Sequence, residues 1–309
     1  MVVYHTPANS INLCVRLPSD GLPDSSRWPC YTRPVLSIQL LGPPQILSDG
    51  QPLELTRRKS RALIYYLAAH PRPLTRDHLL AFFWPDAERV RAQQILRTTL
   101  HGLRKALGSA LVVEDTALSF SPNLEVDARQ FESNLQSSNP QLLITTLAFY
   151  RGDFLQDFTL PDTPAFEDWT VAERERYRRL RVRGLTALSQ HYETERNFPA
   201  ALETLEQALA TDPLQEDVQR HALRLHYFAG DRAGAIRRYE QLRQLLDAEM
   251  GVPPMAETRA VYDAIINDKL EIPKIQDSRL KIQGSRFKTQ SPNPQLPITN
   301  YRSSDVNLN

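Results

Sequence analysis

The chain has 309 residues, of which 41% are hydrophobic and 24% are charged. This length allows two modest domains, and this composition is ordinary for a globular protein. No run of about 18 apolar residues occurs, so we expect no membrane-spanning helix. The first residues lack the pattern of an export signal, and two cysteines, Cys14 and Cys30, make neither a disulfide framework nor a zinc site. We therefore expect a cytoplasmic protein.

The net charge of +1 conceals an uneven distribution of charge along the chain. Residues 57–105 carry 11 Lys and Arg but only three Asp and Glu. Residues 132–270 carry 16 basic and 22 acidic side chains. A basic segment beside an acidic one indicates a polyanionic partner for the first segment only.

Residues 1–34 mix Pro, Ser, Asp and Asn without periodicity and are predicted to be a disordered leader. From Leu36 to Leu40 apolar and polar residues alternate, which predicts a half-buried strand. A turn signal at 48–51 and further alternation at Leu53 and Leu55 predict a small antiparallel sheet.

Helical spacing from Arg57 to His70 places Ala62, Leu63, Tyr66 and Leu67 on one apolar face, and Pro71 ends this helix. Thr75 is a suitable N-cap for a second short helix, which should stop near Trp84 and Pro85. Asp86 is predicted to cap a third helix that ends at Gly108. Residues 111–120 then predict a hairpin with a polar tip, so the order is sheet, three helices and hairpin.

The third helix carries the candidate chemistry. An apolar stripe is predicted for Ile95, Leu96, Leu100, Leu103 and Leu107. Polar and basic side chains lie on another face, where they could donate hydrogen bonds to a DNA major groove. The predicted DNA-binding residues on this helix are Arg91, Gln94, Arg97, Thr98, His101, Arg104 and Lys105. Phosphate contacts are predicted for Arg57, Arg58, Lys59 and Arg61 at the start of the first helix. The alternative interpretation is a solvated basic helix face.

From Val126 onward the sequence predicts helices throughout, with one long helix from Pro164 to Arg196. Residues 197–202 then match residues 231–236, an offset of 34 residues. A 34-residue period with alanines at matching places, such as Ala201 and Ala235, is typical of TPR repeats, although a plain helical bundle is the alternative. After Leu270 the chain is rich in Ser, Gln, Asn, Lys and Pro and is predicted to be a disordered tail or linker over 271–309.

No motif indicates catalysis or a cofactor. His101 has no nucleophile or carboxylate partner at a meaningful spacing, and a groove-facing or solvent position is the better interpretation. Trp169, Phe154 and Phe158 are predicted to pack helices together rather than to form a ligand cage. Neither a GxxxxGK[ST] phosphate loop nor an HExxH motif occurs, so we predict no enzyme activity, cofactor or metal.

Several separated segments resemble the SARP-type antibiotic regulatory proteins. These segments are Leu36 to Pro43, Arg58 to Leu63, Leu103 to Gly108 and Val126 to Phe131. The second half resembles the bacterial transcriptional activator domain of such regulators, with Tyr239 to Arg243 followed by Glu249 to Pro254 and by Glu257 and Thr258. The resemblance covers roughly residues 35–268.

The resemblance implies a mainly α protein with two domains. An OmpR-like winged helix (α+β) would occupy 35–125, and an all-α, TPR-like bacterial transcriptional activator domain would occupy 126–270. It further implies a sequence-specific transcriptional activator that binds direct-repeat promoter DNA, pairs as a homodimer through its helical domain and contacts RNA polymerase. Many relatives continue into a nucleotide-binding ATPase, which nothing after Leu270 resembles.

A TPR-type protein-interaction scaffold without DNA binding is the alternative function. The basic balance of residues 57–105 argues against it. Neither hypothesis defines the operator, the regulated genes, the activating signal, the oligomeric state, or whether the chain is the front of a longer regulator.

Overall fold

A computed structural model describes residues 36–270, which contain seven strands and ten α-helices. The leader predicted at 1–34 and the tail predicted at 271–309, including both cysteines, lie outside the described residues.

The first sheet has the strand order β3-β2-β1-β7. Its strands are β1 (Leu36–Gln39), β2 (Gln45–Ser48), β3 (Gln51–Pro52) and β7 (Glu125–Val126). The turn between β2 and β3 holds Asp49 and Gly50 at φ values of 51° and 77°, as a tight hairpin requires. β3 is shorter than predicted, because Leu53 and Leu55 lie beyond it. β7 pairs with β1 in parallel, so the chain returns to its first strand before the later helices begin.

Three helices follow the first hairpin: α1 (Arg58–Ala69), α2 (Arg76–Phe83) and α3 (Arg89–Leu107). Thr75 caps α2 as predicted, since its hydroxyl accepts a 3.2 Å hydrogen bond from the amide of His78. The predicted cap of α3 is wrong. Glu88, not Asp86, holds the N-cap position and makes no side-chain cap hydrogen bond, because residues 84–87 form a turn before the helix begins.

The predicted hairpin after α3 is present as β5 (Leu111–Val113) and β6 (Ala117–Phe120). A third strand, β4 (Leu74–Thr75), was not predicted and pairs with β6 in an antiparallel manner. Two residues are too few to show a period of two, so sequence alone gives no signal for β4.

Helix α1 is buried around its whole circumference rather than on one face. Every residue from Ala62 to Ala68 is at most 4% exposed, including Ile64 and Tyr65, which lie off the predicted apolar face. A helix between two packed layers needs apolar residues all round. The second layer here is supplied by residues far along the chain.

The remaining helices are α4 (Asp127–Asn134), α5 (Pro140–Leu147), α6 (Pro164–Thr194), α7 (Phe198–Leu209), α8 (Glu216–Phe228), α9 (Arg232–Met250) and α10 (Ala256–Ile266). The expectation of helix throughout this half is wrong at residues 148–163, which form a long non-helical loop between α5 and α6. Within it, Phe154 forms a β-bridge with Leu41, next to β1.

The 34-residue repeat appears in the structure as equivalent helix starts. Asn197 caps α7 by accepting from the amide of Ala200, and Asp231 caps α9 by accepting from the amide of Gly234. The matched alanines, Ala201 and Ala235, are both fully buried. Because α7 and α8 stack on α9 and α10 as successive helix pairs, this part has the TPR-like form expected from the sequence.

One hydrophobic core spans the first helices and the start of the helical half. It joins Leu63 and Phe83 to Phe154, Phe166 and Tyr177. Trp169 packs against the same core, with its ring 4.8 Å from that of Tyr66. These aromatic residues pack elements together, as predicted. The division of the chain at 125 and 126 remains a prediction.

Candidate nucleic-acid interface

Helix α3 is amphipathic in the manner predicted from its sequence. Leu96, Leu100, Leu103 and Leu107 are buried, together with Ala92, and they fix this side of the helix to the small core. Ile95, which was assigned to the same stripe, is only half-buried. The buried stripe determines which side chains face outward, because a helix turns by a fixed angle per residue.

The seven residues predicted on the outer face of α3 are all exposed: Arg91, Gln94, Arg97, Thr98, His101, Arg104 and Lys105. The helix contains five Lys and Arg and no Asp or Glu. Arg104 and Lys105 lie in the last turn, where the negative end of the helix macrodipole favours positive side chains. The hydroxyl of Thr98 donates to the carbonyl of Gln94 at 2.9 Å and keeps its lone pairs as acceptors.

The basic group at the start of α1 is held mainly by other parts of the protein. The Lys59 ammonium lies 2.9 Å from the Asp162 carboxylate and donates to the carbonyl of Phe83 at 3.2 Å. The Arg58 guanidinium donates to the Thr159 hydroxyl at 2.9 Å. Arg58 and Arg61 both lie 5.5 Å from the ring centre of Phe158. Arg57 is exposed just before the helix.

Three of these four cations therefore contact the loop between α5 and α6. The structure brings the seven α3 residues together on one exposed surface, whereas it ties Arg58, Lys59 and Arg61 to the loop.

The β5–β6 hairpin lies beside α3. We call this hairpin, residues 111–120, the wing. Its turn consists of the exposed residues Glu114, Asp115 and Thr116, and the amide of Glu114 donates to the carbonyl of Ala117 at 2.9 Å. Arg104 of α3 donates to the carbonyl of Val113 at 3.1 Å. Arg76 of α2 donates to the carbonyl of Glu114 through both Nε (3.4 Å) and one terminal nitrogen (3.1 Å).

Arg76 was missed in the sequence analysis. It follows the Thr75 cap, and its role depends on the position of a turn 38 residues later. No local pattern carries that information.

Helix α3 and the wing border the same half-open pocket. Its volume is about 460 Å³, and its lining includes Arg97 from α3, Arg76 and Asp77 from α2, and Asp115 and Thr116 from the wing. Arg97, near the middle of α3, therefore borders the same pocket as the wing tip. The lining mixes the cations of Arg76 and Arg97 with the carboxylates of Asp77 and Asp115, so it does not resemble a mainly apolar ligand pocket.

A buried carboxylate fixes the passage from the small sheet to the later helices. Asp127 accepts hydrogen bonds from the amides of Leu40 (2.7 Å), Leu41 (3.1 Å) and Ala128 (2.7 Å), and Arg151 pairs with it at 3.1 Å. Burial raises the pKa of Asp127, while the three amides and Arg151 act in the opposite direction. The first residue of α4 is thereby attached to the end of β1. The sequence placed Asp127 in a family-like segment but did not indicate this role.

Within residues 36–270 no helix is both long enough and apolar enough to span a membrane. The same residues contain no cluster of His, Cys, Asp and Glu that could hold a metal ion.

Comparison with known proteins gives the family of the helical half. Residues 122–266 match the family described as the bacterial transcriptional activator domain. The chain carries a bacterial transcriptional activator domain.

The fold of the chain is similar to that of EmbR from Mycobacterium tuberculosis, solved in complex with a low-affinity phosphopeptide. The TM-score is 0.65 at 22% sequence identity, and the match covers 77% of this chain and 67% of EmbR. No curated protein sequence matches the chain significantly. The activator domain and this fold together confirm the resemblance to SARP-type regulators and the predicted fold class.

Proposed function

We propose that this chain is a sequence-specific DNA-binding transcriptional activator, in which 35–125 bind DNA and 126–270 serve pairing and activation. The observation that carries the proposal is the outer face of α3. The helix carries five cations and no carboxylate. Arg89 pairs with Asp77 at 3.0 Å and Arg104 donates to Val113, whereas Arg91, Arg97 and Lys105 are exposed on the same helix beside the wing. A helix of this kind fits the major groove, where Arg recognises guanine and Gln recognises adenine.

The position of α3 supports this proposal over a merely solvated basic face. The helix precedes the wing directly, and Arg97 borders the same pocket as the wing tip. In a DNA-bound winged helix, the wing lies near the phosphate backbone of the DNA, next to the groove that holds the recognition helix. We assign the main contacts to the seven α3 residues and a phosphate contact to Arg57. Arg58, Lys59 and Arg61 contribute only if their contacts with Thr159, Phe158 and Asp162 are exchanged for phosphates.

The activator domain supplies the rest of the proposal. We infer that it pairs two copies on direct-repeat promoter DNA and contacts RNA polymerase, and that the protein acts in the cytoplasm without catalysis of its own. The acidic balance of 132–270 is consistent with contacts to protein rather than to DNA.

Binding to a short, labelled random-sequence duplex tests the central claim. The affinity should fall steeply with salt, by about a thousandfold or more between about 50 and 200 mM if six or more phosphates are contacted. Arg97→Glu should abolish binding while the helical content measured by circular dichroism stays the same. Arg183→Glu is the matched control, because Arg183 is exposed on α6, far along the chain from α3.

A protein-interaction scaffold would show no salt-dependent duplex binding, and that result would overturn the proposal. Equal losses from Arg97→Glu and Arg183→Glu would remove α3 from the interface. Genome-wide mapping of bound sites would then define the operator, and a direct-repeat footprint would support binding of paired copies.

A further inference from the structure

The wing tip itself carries the wrong charge for a phosphate backbone. Its three-residue turn holds two carboxylates, Glu114 and Asp115, and no cation. Both side chains are exposed, so duplex phosphates would repel them at low ionic strength. Two cations form hydrogen bonds with the backbone at this turn. They are Arg76 of α2 and Arg104 of α3, which both belong to helices beside the wing.

Both guanidinium groups are directed at wing carbonyls. Arg104 donates to Val113, the last residue of β5, and Arg76 donates twice to Glu114, the next residue along. The backbone amide of Arg76 also donates to the carbonyl of Thr116 at 2.9 Å. Helices α3 and α2 thus bind the successive carbonyls of Val113 and Glu114, where the wing begins to turn. Hydrogen bonds from charged donors are stronger than neutral ones, and these donors are planar and can be directed accurately.

We propose that Arg104 and Arg76 are positioning residues, which set the wing against α3 rather than bind DNA phosphates. This proposal rests on the proposed function, and it removes Arg104 from the seven α3 residues to which DNA contacts are assigned above, leaving the other six. A wing held by the recognition helix itself keeps a constant distance from that helix. Helix and wing can then meet DNA together without first paying the entropy of ordering the hairpin.

The salt dependence of DNA binding distinguishes a residue that contacts a phosphate from a residue that only positions the wing. Each phosphate contact that is lost lowers the slope of log affinity against log salt by about 0.9. Arg97→Gln should therefore give a shallower slope on the random-sequence duplex. Arg104→Gln and Arg76→Gln should lower the affinity by about three- to tenfold and leave the slope at the wild-type value.

Hydrogen exchange of the free, full-length protein gives a readout that needs no DNA. In Arg104→Gln and Arg76→Gln the amides of residues 113–117 should exchange about tenfold faster or more, because the hairpin turn loses its charged donors. Arg97→Gln, another exposed α3 substitution, should leave this exchange unchanged. Arg97 and Arg104 are exposed and Arg76 is half-buried at the surface, so none of the three substitutions should unfold the protein.

A shallower slope for Arg104→Gln would overturn the proposal for Arg104 whatever the exchange data show, and unchanged wing exchange would overturn it as well. If the wild-type chain binds no duplex, the proposed function fails. In that case hydrogen exchange still decides whether the two arginines hold the wing.

Discussion

The ring of Phe154 stacks on the ring of Tyr177, with centroids 5.3 Å apart and planes 11° from parallel. Phe154 belongs to the loop between α5 and α6, and Tyr177 belongs to α6. Phe154 also bridges to Leu41 beside β1, and Arg174 of α6 donates to the Phe154 carbonyl at 2.9 Å. The activator domain therefore supplies part of the core on which α1, α2 and α3 rest.

This shared core changes what is expected of a truncated protein. Two independent domains divided near 126 would predict that deletion of 132–270 leaves weak DNA binding but reduces activation and pairing. In the structure the deletion removes Phe154, Phe166 and Tyr177 and uncovers α1, which is buried on all sides. We now expect a fragment ending at 131 to lose its cooperative thermal unfolding, since several large buried aromatic residues each contribute about 3–5 kcal/mol.

A fragment ending at 196 is the control for that experiment. It keeps the 148–163 loop and α6, and we expect it to retain cooperative unfolding of the first three helices. If the fragment ending at 131 unfolds as cooperatively as the longer one, then the first part folds independently and the shared core adds little.

The repeat gives a second prediction, at a helix start. Asn197→Ala should lower the free energy of unfolding by about 1 kcal/mol, because the amide of Ala200 loses its cap. Asp231→Ala should act in the same direction at the equivalent position. Gln215→Ala is the control, since Gln215 occupies the N-cap of α8 without a side-chain cap bond, and its effect should stay within about 0.5 kcal/mol. Urea unfolding measures all three, and equal effects would show that the two caps do not stabilise the repeats.

A third prediction concerns pH and the ion pair between Asp153 and Arg178. The Arg178 guanidinium, together with the Tyr150 hydroxyl, holds the pKa of Asp153 below its ordinary value, although partial burial opposes this. A lowered pKa means that the folded protein favours the ionised form. The stabilisation is therefore present above about pH 4 and is lost as the pH falls further.

Replacement of Asp153 tests whether its ion pair with Arg178 stabilises the folded protein in this pH-dependent way. Asp153→Asn should lower the free energy of unfolding near pH 6 by less than about 1 kcal/mol, because the pair is partly exposed and screened by solvent. The difference from wild type should shrink towards about pH 3. Asp168→Asn removes an exposed carboxylate of the same helical half and should show no such trend. A difference that stays constant with pH would argue against the ion pair as its source.

Local sequence determined most of the elements. Alternation of side chains specified β1, Thr75 specified the start of α2, and Gly108 marked the end of α3 because a positive φ of 58° suits glycine. Leucine spacing along α3 fixed which side chains are exposed, and a 34-residue period fixed the repeat. These features arise within one or two helical turns, or from a regular period, so the sequence shows them directly.

Tertiary structure alone decided which of the basic side chains remain free. Residues 57–61 and α3 look alike in sequence, yet a loop about 100 residues later pairs with Lys59 and Arg58, while nothing in the described chain covers the outer face of α3. Only the tertiary structure likewise shows that Arg104 of α3 donates to a carbonyl of the wing. Such long-range partners depend on how the chain folds back on itself. The burial of Phe154 and Tyr177 in the shared core holds the loop between α5 and α6 against the first helices.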